Sequence, residues 1–184
     1  MLSPSPATQA RPPQAPASPW VIETHSGLPT LTSPATANDL QDANALHARC
    51  SLETRFARYG SARRTLSRTE WAHLINPERG ITWITRQDRD PAEADVVALT
   101  HLMHTDNEGV RELALLVEDS WQSEGLGTAL ARHALAVARA ESVRKLTLLV
   151  GSDNRRMQSI LRRLGATLPA ARGTTVNITM PVGT

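Results

Sequence analysis

The chain has 184 residues, the length of one domain with room for a full hydrophobic core. Its formal net charge is only +2, which argues against a nucleic-acid-binding surface, and its single cysteine, Cys50, excludes an internal disulfide and fits a reducing compartment. No apolar run reaches membrane-spanning length and the N-terminus lacks the features of a secretory signal, so we expect a cytoplasmic protein.

The first 26 residues are dominated by Pro, Ala, Ser, Thr and Gln. Such a segment has too little apolar surface to offset the entropy lost on ordering, so we predict a disordered tail over 1–26. Trp20-Val21-Ile22 is the only apolar run in it that could dock locally or bind a partner. The folded domain is expected to span 27–184.

The apolar periodicity of the rest predicts an α/β (α+β) domain. A short strand near 28–32 precedes three helices, which begin at Asn38-Asp39, at Ser51 and at Ser67. The last of them has the capping box Ser67-x-x-Glu70 and is stopped by Pro77. Further strands are expected at 81–85, 96–103, 112–117, 144–150, 166–168 and 175–182, with a charged hairpin at 87–93 and long helices at 126–140 and 154–164.

The segment Gln122-Ser123-Glu124-Gly125-Leu126-Gly127 joins the strand at 112–117 to the helix at 126–140. A helix N-terminus presents unpaired N–H groups and a partial positive charge, and glycines let the backbone approach a ligand closely. The segment therefore predicts a binding site for phosphate or pyrophosphate. It is not a P-loop, because no Gly-Lys-Ser/Thr follows, and it lacks the three spaced glycines of a dinucleotide-binding turn.

The loop fits the pattern Gln/Arg-x-x-Gly-x-Gly/Ala, and it is followed by Asn154-x-x-Met157 and Leu164-Gly165-Ala166. In these motifs, and from about Leu28 to the C-terminus, the chain resembles the GNAT superfamily of N-acetyltransferases. The resemblance implies a mixed, mostly antiparallel central sheet flanked by helices. It also implies direct transfer of an acetyl group from acetyl-coenzyme A (acetyl-CoA) to an amine, without a metal ion or a covalent enzyme intermediate.

The same resemblance indicates which residues would hold acetyl-CoA. The backbone of Leu115, Leu116 and Val117 would pair with the pantetheine arm like an added strand. Asn154 would contact the cofactor and also cap the following helix. The pyrophosphate would be bound mainly by backbone N–H groups of the loop, with the Glu124 side chain pointing into solvent. The residues expected there are Gln122, Ser123, Glu124, Gly125, Leu126, Gly127 and Thr128.

Glu112 is the candidate general base, because an amine such as lysine is protonated at neutral pH and must lose a proton before it attacks. It shares a strand face with Ala114 and Leu116, so we expect a buried carboxylate among apolar neighbours. The run Glu112-x-Ala114-x-x-Val117 resembles the Glu-x-Ala-x-x-Val motif of bacterial protein-lysine acetyltransferases, whose glutamate is the catalytic base. The alternative is that Glu112 only forms an ion pair with a nearby arginine.

Two features leave the function open. Leu161 occupies the position at which many GNAT enzymes carry a tyrosine that protonates the departing thiolate. Ser51-x-x-Thr54-x-Phe56 resembles, with altered spacing, the Ser-x-x-Ser-x-x-x-Arg-Phe segment of the protein-lysine acetyltransferases. The acceptor is therefore a protein lysine or a small amine such as an antibiotic or polyamine, and the third alternative is a non-catalytic acyl-CoA-binding regulatory module.

Four other residues with reactive side chains are expected to be structural. His101 and His104 are three residues apart in a strand, so they face opposite sides and predict no metal site. His133 lies between apolar positions of a helix and is expected to pack. Cys50 lacks an evident activating partner and is expected to be a small buried hydrophobic residue. The arginines of the two long helices are expected to be solvated, and the alternative is that they attract the phosphates of the cofactor.

Overall fold

A computed structural model describes residues 19–88, 94–170 and 173–183. Within these ranges, seven strands form one sheet in chain order. The strands are β1 (Trp20–Glu23), β2 (Pro29–Pro34), β3 (Gly80–Gln87), β4 (Val96–His104), β5 (Val110–Val117), β6 (Lys145–Gly151) and β7 (Thr175–Pro181). The helices are α1 (Leu40–Arg49), α2 (Leu52–Tyr59), α3 (Arg68–Leu74), α4 (Leu126–Ala140) and α5 (Arg155–Arg163), and Ala37–Asp39 and Asp119–Trp121 are single 3-10 turns.

The sheet is mixed and mostly antiparallel, as expected. Every described neighbouring pair is antiparallel except β5 and β6, which are parallel and are connected through α4. A parallel pair needs a crossover of this kind, because the chain must return to the same end of the sheet. The β5–α4–β6 unit is therefore a crossover connection within an otherwise antiparallel sheet.

Helices cover both faces of the sheet. On one face, α4 and α5 bury a large apolar cluster that includes Leu113, Leu146 and Leu148. On the other face, α1 and α3 pack over Leu99 and Leu116. Because side chains alternate along a strand, Glu112 belongs to this second face together with Leu116.

Local signals in the sequence fix the helix ends. The Ser67 hydroxyl accepts a hydrogen bond from the Glu70 N–H at 3.2 Å, and the Glu70 carboxylate accepts one from the Ser67 N–H at 2.8 Å. This is the expected capping box at the start of α3, and the helix ends at Leu74, before Pro77. The predicted long helix at 126–140 also has the observed bounds of α4.

The predicted boundary of the tail is wrong for its last residues. Trp20–Glu23 forms β1, which pairs antiparallel with β2, and Ile22 is buried. The Trp20 ring stacks on the His133 ring at a centroid distance of 3.6 Å, so His133 packs as expected. Composition missed β1 because the partner strand supplies its hydrogen bonds. Residues 1–18 of the predicted tail lie outside the described residues.

One predicted strand is not observed. Residues 166–168 form no strand; instead the Ala166 N–H donates to the Leu161 carbonyl oxygen at 2.9 Å and closes the C-terminal turn of α5. Ala166 is buried against the core, so its apolar character reflects packing and not pairing. The predicted hairpin at 87–93 lies mostly outside the described residues. No helix in the described part of the chain is long and apolar enough to cross a membrane.

The docking of β1 can be tested with two adjacent residues. Ile22 is 9% exposed and Val21 is 58% exposed, so their side chains point to opposite sides of the strand. Ile22→Ala should lower the free energy of unfolding by about 2–4 kcal/mol, because it leaves a cavity in the core. Val21→Ala should change it by less than about 0.5 kcal/mol. Denaturant unfolding measures both, and equal effects would show that β1 does not dock as described.

Candidate functional site

The parallel strands β5 and β6 separate after three residue pairs. They pair at Val110–Lys145, Arg111–Leu146 and Glu112–Thr147. Beyond Glu112, β5 stays paired with β4 as far as Val117, and β6 stays paired with β7 as far as Gly151. A cleft therefore opens between the two strands, with Glu112 at its closed end. The predicted pantetheine residues Leu115, Leu116 and Val117 lie on the β5 side of this cleft.

The predicted anion-binding loop lies at the open end of the cleft. Ser123 and Gly125 have φ angles of 67° and 85°, and backbone of this kind turns successive N–H groups toward one concave side. Among the described residues, no acceptor is found for the six backbone N–H groups from Ser123 to Thr128. Ala129 is the first to bond, to the Gly125 carbonyl oxygen at 3.0 Å. Six free N–H groups at a helix start form a site for an anion. They belong to Ser123, Glu124, Gly125, Leu126, Gly127 and Thr128.

The Gln122 side chain braces this loop. Its Nε2 donates to the Thr54 Oγ1 and to the Val117 carbonyl oxygen, each at 3.0 Å. Its Oε1 accepts a hydrogen bond from Arg156, which brings one of the helix arginines to the loop. Gln122 thereby connects the loop to α2, to the end of β5 and to α5. Because its amide nitrogen and its amide oxygen both have hydrogen-bond partners within the protein, Gln122 serves the site by fixing the loop.

Glu124 does not point into solvent, contrary to expectation. Its carboxylate accepts a hydrogen bond from the Ser26 N–H at 3.0 Å, and its carbonyl oxygen accepts one from the His25 N–H at 2.9 Å. A Cβ atom on Gly125 would lie 2.7 Å from the His25 Nε2. The turn between β1 and β2 therefore holds the loop, and glycine is needed at position 125 for both its φ angle and this contact.

Asp119 anchors the start of α2 to the end of β5. Its carboxylate accepts hydrogen bonds from the Ser51 N–H at 2.8 Å, the Ser51 hydroxyl at 2.7 Å and the Thr54 hydroxyl at 2.8 Å. Burial alone would raise the pKa of Asp119, but the hydrogen bonds from Ser51 and Thr54 outweigh it and the pKa is lowered. Sequence reasoning gave Asp119 no role, although it follows the Glu112 motif directly.

The resemblance drawn to Phe56 needs correction. Phe56 is 49% exposed, so its ring is not part of the interior. Arg58 and Tyr59 follow Thr54 after three residues, which is the unaltered Ser-x-x-Ser-x-x-x-Arg-Phe spacing with Thr and Tyr as replacements. The Tyr59 hydroxyl lies 2.6 Å from the His47 Nε2. Arg58 and Tyr59 are half-buried, unlike Phe56, and the fully buried residue of α2 is Arg55.

Glu112 is exposed, so the predicted burial among apolar neighbours is wrong. The helices on its face cover Leu116, which is 1% exposed, but they stop short of Glu112 at the closed end of the cleft. The alternative of a local ion pair is not supported by the described residues either. Arg111 pairs with Glu141 at 3.0 Å and Arg144 donates to the Glu108 carbonyl oxygen at 2.7 Å. Burial lowers the pKa of Arg58 on α2 and the Glu112 charge raises it, but the two side chains form no ion pair within 4.0 Å. The Glu112 carboxylate is therefore accessible and uncommitted.

Asn154 is the N-cap residue of α5 and Leu161 lies within this helix, across the cleft from β5. The Asn154 Oδ1 accepts a hydrogen bond from the Met157 N–H at 3.0 Å, so the expected helix cap is confirmed, while a contact with the cofactor stays a prediction. Leu161 is fully buried in the core. This position therefore contributes no acid to the cleft. The one tyrosine of the chain, Tyr59, is on α2 and burial raises its pKa.

The remaining candidate residues are structural. His101 is buried with its Nδ1 at 2.9 Å from the Thr82 Oγ1, and burial lowers the pKa of His101, whereas His104 is exposed. No group of three His, Cys, Asp or Glu side chains in the described ranges is arranged to hold a metal ion. Burial raises the pKa of Cys50 to about 12, which leaves it protonated and unreactive at neutral pH.

The sequence model of the Acetyltransferase (GNAT) family matches residues 40–166, which is more than half of the chain. The chain belongs to the GNAT acetyltransferase family. The match covers the separating strands and the loop, so the protein is an N-acetyltransferase of a family that uses acetyl-CoA. A comparison with curated protein sequences finds no match.

Three solved structures have a similar fold. The GNAT domain of S. lividans PAT is 18% identical over 89% of this chain and 96% of its own, with a TM-score of 0.76. The ribosomal-protein-S18-alanine N-acetyltransferase from Escherichia coli is 18% identical over 84% and 95%, with a TM-score of 0.63. A cAMP-binding acyltransferase from Mycobacterium smegmatis is 20% identical over 91% of this chain and 48% of its own, with a TM-score of 0.62.

Proposed function

We propose that this N-acetyltransferase transfers the acetyl group of acetyl-CoA directly to the side-chain amine of a protein lysine. The observation that carries the proposal is the shape of the cleft. An anion-binding loop lies at its open end, an unpaired strand edge runs along it, and the accessible carboxylate of Glu112 lies at its closed end. This order matches a phosphate group, an extended arm and a reacting centre.

The residues of the loop and of β5 fit acetyl-CoA. The backbone N–H groups from Ser123 to Thr128 have no other acceptor in the described structure and would bind the pyrophosphate, with Gln122 holding the loop in place. The free edge of β5 at Leu115, Leu116 and Val117 would pair with the pantetheine arm. The Leu116 backbone faces β4, and the Val117 carbonyl oxygen already accepts a hydrogen bond from Gln122, so the Leu115 backbone and the Val117 N–H would carry most of that pairing. Asn154 would reach the arm from the opposite wall.

Glu112 would act as the general base. Its carboxylate accepts a proton from the acceptor amine, directly or through water, and the amine then forms the new C–N bond with the acetyl carbon. The C–S bond breaks, CoA leaves as a thiolate, and the second proton of the attacking nitrogen passes to that thiolate or to water. Because thiols have pKa values of about 8.5, a thiolate can leave without a dedicated acid, which is consistent with a buried leucine at position 161.

A protein acceptor is supported by the exposed apolar surface of α2 and β6, by the motif at Glu112 and by one similar protein. Helix α2 contacts β6, and the two elements expose the apolar side chains of Leu52, Phe56 and Leu149, which are 54%, 49% and 64% exposed. Exposed apolar groups beside a site favour a protein partner over a small polar amine. The motif at Glu112 resembles protein-lysine acetyltransferases, and the E. coli structure named above carries a ribosomal protein in its name.

The proposal is tested by incubating the protein with acetyl-CoA and lysine-containing peptides. We expect acetyl-CoA to raise the melting temperature, thiol to be released only when peptide is present, and mass spectrometry to find acetyl groups on lysine side chains. Thiol release with polyamines or antibiotic amines but not with any peptide or protein would indicate a small-molecule enzyme. A thermal shift without thiol release from any amine would indicate a regulatory module.

A further inference from the structure

A cavity lies between α2 and α3, and α2 also contacts β5, the strand that carries Glu112. Its volume is about 480 Å³. Its lining includes two arginines, three hydroxyl side chains and one imidazole, which are Arg58, Arg63, Tyr59, Ser61, Thr69 and His73. Glu70 is the acidic residue of its wall. The proposed transfer reaction assigns no role to this cavity.

Both carboxylate oxygens of Glu70 already have partners. One carboxylate oxygen pairs with the Arg63 Nη1 at 2.6 Å, and the other accepts the capping hydrogen bond from the Ser67 N–H at 2.8 Å. Hydrogen bonding by Ser67 holds the pKa of Glu70 below its usual value, so this carboxyl is ionised at neutral pH. Glu70 therefore neutralises Arg63, and neither of its carboxylate oxygens is free to pair with a second guanidinium group.

Arg58 lacks a counterion in the described structure. It forms no ion pair within 4.0 Å and no hydrogen bond to a described residue, and its Nε is buried without a partner. Its guanidinium lies 4.7 Å from the centroid of the Tyr59 ring, and that of Arg63 lies 5.5 Å from the same centroid. Two guanidinium groups thus share one ring, and the ring compensates only part of their charge.

The pKa values of Arg58 and of two nearby histidines indicate the same positive environment. Burial is the main cause that lowers the pKa of His47 and of His101, and the Arg58 charge lowers both further. Burial lowers the pKa of Arg58 itself, and the charges of Tyr59 and Glu112 oppose that effect. A desolvated guanidinium costs free energy until an anion pairs with it. The cavity is therefore arranged to receive an anion next to the proposed base.

We propose that this cavity, which we call the Arg58 pocket, binds a carboxylate or phosphate group carried by the acceptor. The inference rests on the proposed function, since it places the acceptor amine at Glu112. The planar guanidinium of Arg58 matches both anions, and the hydroxyls of Ser61 and Thr69 add donors. A cationic acceptor such as a polyamine is disfavoured by the same charges. The preferred acceptor is an amine with an acidic group near it.

Binding of inorganic phosphate tests the pocket without any turnover. The protein is first saturated with CoA so that the glycine loop is filled, and phosphate is then titrated while the melting temperature is followed. Phosphate should stabilise the wild-type protein. It should stabilise Arg64→Gln equally, because Arg64 is exposed on the loop between α2 and α3 and does not line the pocket. Arg58→Gln should lose the stabilisation. Equal stabilisation of Arg58→Gln, or none in the wild type, would overturn the pocket.

Acceptor kinetics then identify the source of the anion. Two lysine peptides that differ only by Glu or Gln beside the lysine are compared, together with free amino acids that carry a carboxylate. Arg58→Gln should raise KM about 10–100-fold for the acidic acceptor, leave the Gln peptide unchanged and leave kcat within about twofold. A preference for the acidic peptide indicates an acidic side chain, and a preference for the free amino acid indicates a small acceptor. Equal KM for the Glu and Gln peptides in the wild type would overturn the inference.

The two arms also separate failure of the inference from failure of the proposed function. A protein that binds phosphate through Arg58 but acetylates nothing would refute the transfer reaction and keep the anion site. A protein that acetylates neutral peptides and does not bind phosphate would refute the anion site and keep the transfer reaction. Should Arg58→Gln not fold, Arg58→Lys keeps the charge and loses the planar fork, and it should show weakened phosphate binding with an unchanged melting temperature in CoA alone.

Discussion

Replacing Gly127 by tryptophan should abolish acetyl-CoA binding while the protein stays folded. A Cβ atom on Gly127 would lie 3.5 Å from the Ile160 Cδ1 and 4.0 Å from the Val117 Cγ2, so a side chain there grows between the end of β5 and α5. That is the cleft in which the pantetheine arm and pyrophosphate would lie. Losing two hydrogen bonds from backbone N–H groups to the pyrophosphate costs about 3–6 kcal/mol, or about 10²–10⁴-fold in Kd.

Gly127→Ala is the matched control for this experiment. Its methyl group fits at ordinary contact distance, and alanine is favoured over glycine in a helix, so binding and stability should both be retained. Gly125 is a poorer choice, because its positive φ angle and its contact with His25 would strain any substitution. Isothermal titration with acetyl-CoA measures the effect. Unchanged affinity in a folded Gly127→Trp would remove the loop from the cofactor site.

Local sequence signals predicted most of the helices and strands correctly. The capping box at Ser67 and the stop at Pro77 set α3, and the glycine loop and apolar spacing set α4 at its observed bounds. These signals succeed because each depends on residues within a few positions of one another. The strand predicted at 166–168 failed for a related reason. Three apolar residues cannot show whether they pair with a strand or pack behind a helix.

Contacts between distant residues were not readable from the sequence. The turn at His25 and Ser26 holds the loop at Glu124, and Ser51 and Thr54 bond to Asp119. In each case the partners are more than 60 residues apart, and neither partner has an unusual neighbourhood. The tail prediction failed in the same way, because composition measures what a segment can bury alone and not what β2 offers to β1.

The sequence predicted where the residues of the candidate site lie better than it predicted what surrounds them. The strand–loop–helix order placed the loop from Gln122 to Gly127 correctly between β5 and α4, and alternation placed Glu112 on one face with Leu116. Alternation does not show how far the helices on that face extend, so the expected burial of Glu112 was wrong. It also does not show that β5 and β6 separate after Glu112. The separation arises because β5 stays paired with β4, and β6 with β7, after β5 and β6 stop pairing with each other.

Replacing Glu112 by glutamine should lower turnover near pH 7 by about 10²–10⁴-fold and leave acetyl-CoA binding intact. Glutamine keeps the size of the side chain but cannot accept the proton of the acceptor amine. Raising the pH should partly restore turnover, because a lysine amine with a pKa of about 10.4 is then less often protonated. Thiol release with a lysine peptide, measured from pH 7 to pH 9.5, gives both results.

The structure makes this variant unusually easy to interpret. Glu112 is exposed and forms no ion pair with the described residues, so Glu112→Gln should leave the melting temperature unchanged. Glu118 is the matched control, since its carboxylate pairs with the Arg49 Nε at 3.0 Å and bonds to the Ser120 hydroxyl at 3.1 Å. Glu118→Gln should keep full turnover. Turnover lost in Glu118→Gln but kept in Glu112→Gln would move the base to Glu118. A large fall in melting temperature in Glu112→Gln would make Glu112 a structural residue, because only a committed carboxylate stabilises the fold.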